Sequence, residues 1–137
     1  MQLKRLDTFI KRRRENFREL IKFFSGYPDF FALPRQLENV ETAWLAFPLT
    51  INSSAPFERI DLVTFLERNG IQTRPLFAGN ILRQPGFKGM SQSDFKNNFP
   101  NADNVMKNSF LVGCNNGLTK SQIEYMKNIF RKLLDKF

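Results

Sequence analysis

The sequence predicts an α+β domain in which helices cover a small three-stranded sheet. Apolar residues recur at helical spacing at both ends of the chain. Between them lie three short apolar runs with the β-branched and aromatic residues of strands. Sixteen phenylalanines in 137 residues indicate a packed, aromatic interior. Three strands are too few for a doubly wound sheet, so helices packed against a small sheet remain the natural architecture.

The first predicted element is a long helix over residues 2–24. Its apolar positions keep helical spacing, except that Arg13 occupies an expected apolar position. Gly26 and Pro28 end the helix, and residues 27–33 form a short extended stretch. The apolar positions are Leu3, Leu6, Ile10, Phe17, Leu20, Ile21 and Phe24.

In the middle of the chain the sequence pattern predicts a strand, a helix and a second strand. Residues 43–51 form the first strand, in which Pro48 indicates an edge or a bulge because proline cannot donate to a ladder. A helix over about residues 57–68 follows and ends at Gly70. Residues 71–76 form the second strand.

The last third of the chain begins with a polar stretch over residues 88–98. The pattern after it predicts a short helix at residues 102–108 and a strand at residues 110–113. Thr119 and Gln122 have the spacing of a capping box, in which each side chain caps the other residue's backbone N–H. We therefore expect a final helix that starts after Thr119 and buries one face.

Composition excludes several function classes. Histidine is absent, which removes Ser-His-Asp and Cys-His catalysis and the commonest metal ligand. A single cysteine, Cys114, excludes an intrachain disulfide and favours a cytoplasmic location, and its sequence context indicates an inert thiol. We read neither a signal peptide nor a membrane span.

The net charge of +8 is concentrated near the start of the chain. Residues 1–25 carry eight basic side chains against three acidic ones. A nucleic-acid surface is one interpretation, but aromatic side chains are not interleaved with the bases, so a solvated helix face is favoured. Trp44 and the phenylalanine pairs are interpreted as core and not as a ligand platform.

Residues 70–85 carry the best candidate site. Arg74 and Arg83 suit bidentate binding of phosphate, Gly79 permits close approach of the backbone to a ligand, and Phe77 can pack on a ring. On these physical grounds alone, a strand end followed by an ordinary turn remains the commoner interpretation. Arg74 has a further alternative, an ion pair inside the domain.

The same segment resembles the C-terminal domain of the DegT/DnrJ/EryC1/StrS sugar aminotransferase family. The pattern Gly-Ile-x-Thr-Arg-x-Leu-Phe-Ala-Gly-Asn-x-x-Arg-Gln-Pro of its NDP-4-keto-6-deoxyglucose 3-dehydratases is present at residues 70–85. Residues 12–17, 43–51, 55–57 and 117–119 also resemble family positions, so the likeness covers nearly the whole chain.

The resemblance implies the small domain of a fold type I enzyme that uses pyridoxal phosphate in deoxysugar or lipopolysaccharide biosynthesis. Residues 1–137 would form that domain, and residues 1–25 would be the helix that joins it to a missing large domain. The cofactor and its lysine or histidine would lie in the large domain, so we expect this chain to bind no cofactor and to be inactive alone. By resemblance, Phe77, Gly79, Asn80, Arg83, Gln84 and, less firmly, Arg74 would face the nucleotide-sugar substrate.

An independent anion-binding module for nucleotide sugar or nucleic acid is the alternative function. Such a module would bind its ligand through the basic surface and would catalyse no reaction. We also expect a homo-oligomer, because loss of a large domain would expose apolar surface. No membrane partner is expected.

Overall fold

The computed structural model describes residues 2–87 and 99–137 and confirms the α+β class. The polar stretch at residues 88–98 lies outside the described residues. A short 3-10 helix, Gln2–Arg5, precedes the first α-helix. The α-helices are α1 (Leu6–Phe24), α2 (Arg59–Arg68), α3 (Pro100–Asn108) and α4 (Lys120–Leu134), and the strands are β1 (Phe31–Ala32), β2 (Ala46–Ile51), β3 (Thr73–Pro75) and β4 (Ser109–Gly113).

In the described residues the sheet has four antiparallel strands in the order β1-β2-β4-β3, one more than the predicted three. The additional strand is β1, which lies in the predicted extended stretch. It has only two residues, and Phe31 pairs with Ile51. Phe31 is buried, and the neighbouring Phe30 carbonyl accepts a hydrogen bond from Asn52 N–H. Tertiary pairing therefore creates a strand that is too short for a local pattern to predict.

Pro48 lies in β2, between two neighbouring strands, and not in an edge strand of the sheet. However, β1 pairs only with Thr50 and Ile51, whereas β4 pairs with residues 46–50. At Pro48 the side of β2 that faces away from β4 is therefore open. This local edge accommodates a residue that has no N–H to donate.

One face of the sheet forms the core together with the helices. The buried side chains of β2 alternate along the strand, and α1, α2 and α4 cover them. Phe24 is central to this core: its ring lies 4.8 Å from Phe130, 5.4 Å from Phe31 and 5.5 Å from Phe47, between centroids. Trp44 stacks on Phe17 at 4.0 Å, so the interpretation of these aromatic residues as core is confirmed.

The last helix starts as predicted. Thr119 Oγ1 accepts a hydrogen bond from Gln122 N–H at 3.2 Å, and Gln122 Oε1 accepts one from Thr119 N–H at 2.9 Å. Ile123, Phe130 and Leu134 are buried on one face of α4. Cys114 is fully buried after β4, and burial raises the pKa of its thiol to about 12, in agreement with an inert role.

Candidate functional site

The predicted site is built on β3 and on the loop of residues 77–84, called the 77–84 loop below. Gly70 ends α2 with a φ of 71°, a conformation that favours glycine. The carboxylate of Glu67 accepts hydrogen bonds from Thr73 N–H and from Thr73 Oγ1, and the backbone bond, followed by the hydroxyl bond, lowers the pKa of Glu67. The end of α2 is therefore attached to β3, which is an edge strand of the sheet.

The 77–84 loop is attached to α3 through Asp103. Arg83 donates to both carboxylate oxygens, from Nε at 3.0 Å and from Nη2 at 2.8 Å. Asn80 donates from Nδ2 to the Oδ1 atom at 2.8 Å. These bonds, from Arg83 first and Asn80 second, lower the pKa of Asp103 to about 2. The carboxylate is consequently ionised at neutral pH.

Gly79 makes the closest approach between the loop and α3. A Cβ atom at this position would lie 2.3 Å from Met106 Cβ and 2.6 Å from Met106 Cα. Gly79 also has a φ of 63°, which side chains disfavour. The sequence predicted a glycine that permits close approach of the backbone, but the structure shows that the neighbour is a helix. Its approach to a substrate stays a prediction.

Two of the predicted side chains stabilise the loop from within. Asn80 is buried, and its Oδ1 atom accepts a hydrogen bond from Leu82 N–H at 3.1 Å. Gln84 donates from Nε2 to the carbonyl of Ala78 at 3.0 Å. In this structure both amides therefore act as internal supports of the loop.

Phe77 is one of three exposed members of the predicted set, together with Arg74 and Arg83. Its side chain is 85% exposed, and its backbone has a φ of 51°. Among the described residues it stacks on no other ring. A large apolar side chain that is held in an unfavourable backbone conformation and left in solvent can contact a ligand, and neither burial nor backbone preference explains its placement.

Arg74 is also exposed, and its Nη1 atom donates to the carbonyl of Thr73 at 3.0 Å. Within residues 2–87 and 99–137 it forms no salt bridge, so the structure does not show the predicted alternative of an ion pair. Arg74 lies opposite Leu111, which in turn lies opposite Pro48, on the sheet face away from the core. After the Thr73 hydrogen bonds, the positive charge of Arg74 also contributes to the lowered pKa of Glu67, so that charge is partly offset by the Glu67 carboxylate without a direct ion pair.

The two arginines of the site differ in charge balance. Arg83 forms a bidentate ion pair with Asp103, which offsets its charge, whereas Arg74 has no such partner in the described part of the chain. Sequence reasoning missed Asp103 and Met106. Asp103 lies twenty positions after Arg83, in another element, and nothing in its local sequence indicates the contact.

The described residues contain no group of histidine, cysteine, aspartate or glutamate side chains that could hold a metal ion. None of the helices in these residues has the length and apolar character needed to cross a membrane.

Comparison with known proteins relates this fold and loop to one family. The model of the DegT/DnrJ/EryC1/StrS aminotransferase family matches residues 1–131. The lipopolysaccharide biosynthesis protein RfbH of Salmonella typhimurium is 33% identical over 131 residues, which are 96% of this chain and 30% of that protein. A GDP-4-keto-6-deoxy-D-mannose 3-dehydratase of Yersinia pseudotuberculosis is 30% identical over 96% of this chain and 33% of its own length.

A solved structure agrees with this likeness. The E. coli GDP-4-keto-6-deoxy-D-mannose-3-dehydratase, determined with bound hydrated PLP, has a TM-score of 0.76 and 30% identity, over 93% of this chain and 32% of that chain. An aminotransferase from Psychrobacter cryohalolentis shares the fold at a TM-score of 0.84, with 16% identity. The chain spans about a third of the length of these relatives.

Proposed function

The chain belongs to the DegT/DnrJ/EryC1/StrS aminotransferase family, and from that premise we propose that it is the small, substrate-closing domain of a nucleotide-sugar 3-dehydratase or aminotransferase. The observation that carries the proposal is the family match over residues 1–131, which includes the 77–84 loop. Two relatives are named as dehydratases of a GDP-sugar and a dTDP-sugar. A nucleotide sugar of this kind is the proposed substrate class.

Pyridoxal phosphate does not fit the residues described here. A lysine that binds the cofactor covalently must be able to lose its proton in a pocket. Lys127 is the buried lysine of the described residues, and its Nζ atom donates to Glu19 at 2.9 Å and to Glu124 at 2.8 Å. Burial alone would lower the pKa of Lys127, but the bonds to Glu124 and Glu19 raise it.

The other described lysines are exposed, and the sequence contains no histidine. We therefore propose that the cofactor binds in a separate large domain of the complete enzyme. Pyridoxal phosphate would supply the electron sink for the reaction there. The part described here would bind and orient the substrate, and we expect it to have no activity alone.

Within this proposal the six predicted residues divide into two groups. Phe77 and Arg74 have exposed side chains that can contact a ring and a diphosphate. Gly79, Asn80 and Gln84 give the loop its shape. Arg83 belongs to both groups, because Asp103 occupies two of the five N–H donors of its guanidinium and three remain for an anion.

Titration of the ¹⁵N-labelled chain with GDP and dTDP tests substrate binding. We expect weak binding, because one domain supplies only part of a pocket, with backbone resonance shifts concentrated in residues 73–84. Arg74→Gln should weaken binding of both diphosphates, whereas Arg35→Gln removes an equal charge from another exposed arginine and serves as the control. Shifts confined to α1 would contradict the proposal and favour the basic surface as the binding site.

A second experiment tests the location of the cofactor. Mixing the chain with one equivalent of pyridoxal phosphate should give no more aldimine absorbance than an equal concentration of free lysine gives, because no described lysine is both buried and unpaired. An absorbance band stronger than that of the free-lysine control, fixed by borohydride reduction on a single lysine, would contradict this.

Two further expectations belong to the same proposal. We propose a cytoplasmic location, which the single cysteine favours. We also propose that the chain forms a homo-oligomer. Light scattering over a concentration series measures the mass, and a constant monomer mass would contradict the oligomer.

A further inference from the structure

The side-chain hydrogen bonds between the 77–84 loop and other elements converge on one residue. In the described part of the chain, Asn80 and Arg83 reach outside the loop, and both donate to Asp103 of α3. The remaining side-chain bonds of the loop are internal, from Gln84 to Ala78 and from Leu82 N–H to Asn80. Asp103 is therefore the polar attachment point of the whole loop.

The contact has the features of a rigid attachment. The guanidinium of Arg83 binds both carboxylate oxygens, a geometry that fixes direction as well as distance. Asn80 is buried and uses its amide group on the carboxylate and its oxygen on the loop backbone. Gly79 packs against Met106, one turn further along α3. Polar and apolar contacts therefore hold the loop on the same helix.

We propose that Asp103 is a positioning residue for substrate binding: it fixes the 77–84 loop on α3 so that Phe77 and the unpaired edge of Arg83 are held in one arrangement. The inference rests on the proposed function, because it assigns a purpose to the exposed side chains of that loop. Asp103 acts through Arg83 and Asn80 and does not itself contact the nucleotide sugar.

The chemistry of the contact distinguishes a carboxylate from its amide. Asn at position 103 has nearly the shape of Asp but offers one acceptor oxygen and one NH₂ group. The amide would point N–H groups at a donor of Arg83 or Asn80, so one bond would be replaced by an unfavourable contact. Asp103→Asn should therefore release the loop while the helix position keeps its size.

Two readouts on the ¹⁵N-labelled chain test the proposal, with GDP as the probe. In the wild-type chain the Nε–H resonance of Arg83 should be shifted and protected from exchange, and in Asp103→Asn it should move to the position of a solvated arginine. GDP binding should weaken about tenfold, because an unfixed loop must be ordered on binding. Asp29→Asn is the control, since Asp29 is exposed and its side chain makes no hydrogen bond in the described residues.

Two further variants separate the proposed role from a general effect on folding. Asp103→Glu retains the charge in the first turn of α3 and a carboxylate for Arg83, so it should restore part of the GDP affinity. Should Asp103→Asn fail to fold, Asp103→Ala removes both acceptor oxygens without pointing N–H groups at Arg83, and it leaves Arg83 itself in place. The same loss of loop protection and of GDP affinity is expected for that variant.

The outcomes are distinguishable. Unchanged GDP affinity in Asp103→Asn, with wild-type binding intact, overturns the positioning role and leaves the proposed function standing. An unchanged Arg83 resonance in that variant also overturns it. Absence of GDP binding by the wild-type chain overturns the substrate role of the loop and the positioning role together.

Discussion

Replacing Gly79 with alanine should disturb the 77–84 loop much more than the same replacement disturbs the turn at Gly70. Both glycines have a positive φ, 63° at Gly79 and 71° at Gly70. At Gly70 no other atom of residues 2–87 and 99–137 lies within 4 Å of an added Cβ, so the substitution measures the backbone preference alone. At Gly79 the added Cβ would lie 2.3 Å from Met106 Cβ.

The magnitudes follow from these contacts. A left-handed backbone costs a non-glycine residue about 1 kcal/mol, and we expect that loss of stability for Gly70→Ala. Carbon atoms pack at about 3.5–4.0 Å, so Gly79→Ala requires a separation of more than about 1 Å between the loop and α3. Overpacking of this kind costs about 1–3 kcal/mol, and the total for Gly79→Ala is therefore about 2–4 kcal/mol.

Urea denaturation followed by circular dichroism measures the free energy of unfolding of both variants. Amide hydrogen exchange adds a local measurement, because the loop can leave α3 without unfolding of the domain. Gly86→Ala is the control: no atom of the described residues lies within 4 Å of its added Cβ and its φ is not positive, so we expect a change within about 0.5 kcal/mol. Equal denaturation midpoints and equal loop exchange for Gly79→Ala and Gly70→Ala would refute the reasoning.

Four further predictions concern the core, the caps and two titrating groups. Phe24→Ala should lower the free energy of unfolding by about 3–5 kcal/mol, since its ring is fully buried among four other aromatic rings; a loss below about 1 kcal/mol in urea would contradict that packing. Thr119→Ala should cost about 1 kcal/mol by thermal or urea denaturation through loss of the cap, and no change would mean that the capping box with Gln122 does not form. Iodoacetamide should not label Cys114 at neutral pH unless denaturant is added, as mass spectrometry would show. The pKa of the Asp103 carboxyl is lowered from 3.8 to about 2. Its stabilising contribution is therefore complete above pH 3.8 and is lost as the pH falls through about 2. Loss of the Arg83 Nε–H signal already near pH 5 would contradict this.

The helices were predictable because their signals are local. Thr119 and Gln122 stand three residues apart, and their hydrogen bonds depend on that spacing alone. The buried residues of α1 are likewise at the predicted positions, Phe17, Leu20 and Phe24. The spacing of apolar residues and the capping residues depend on positions only a few residues apart, so helices can be predicted from the sequence without knowledge of the tertiary fold.

The number and the extent of the strands were less predictable, because a strand forms by pairing with segments that are far away in the sequence. β1 consists of two residues, and its place in the sheet depends on pairing with the end of β2. Pro48 also required the tertiary arrangement, since its tolerance inside β2 follows from the shortness of β1. The β-propensity of a residue describes its preferred backbone conformation, but the positions of the neighbouring strands decide which backbone groups are paired in the sheet.

The candidate site shows the same division. The 70–85 segment was recognisable, and its glycine, asparagine and arginine were identified as important positions. Their partner in the fold was not, because Asp103 belongs to a helix whose sequence indicates only a solvated acidic residue in its first turn. The hydrogen bonds between Arg83 and Asp103, twenty positions apart, are recognised once the positions of the loop and of α3 in the fold are known.

This placement changes the expected contribution of each arginine to anion binding. Sequence reasoning ranked Arg83 above Arg74 as a phosphate contact, yet Arg83 is the one whose charge is balanced by a carboxylate. At distances beyond the contact itself the Arg83–Asp103 pair is close to neutral, so it supplies geometry and little attraction. Arg74 is exposed and forms no direct salt bridge in the described residues, so it would supply the long-range attraction for a diphosphate, reduced in part by its interaction with Glu67. Binding that depends on Arg74 should therefore weaken with salt, whereas the hydrogen bonds from the free edge of Arg83 should determine which phosphate orientation is accepted.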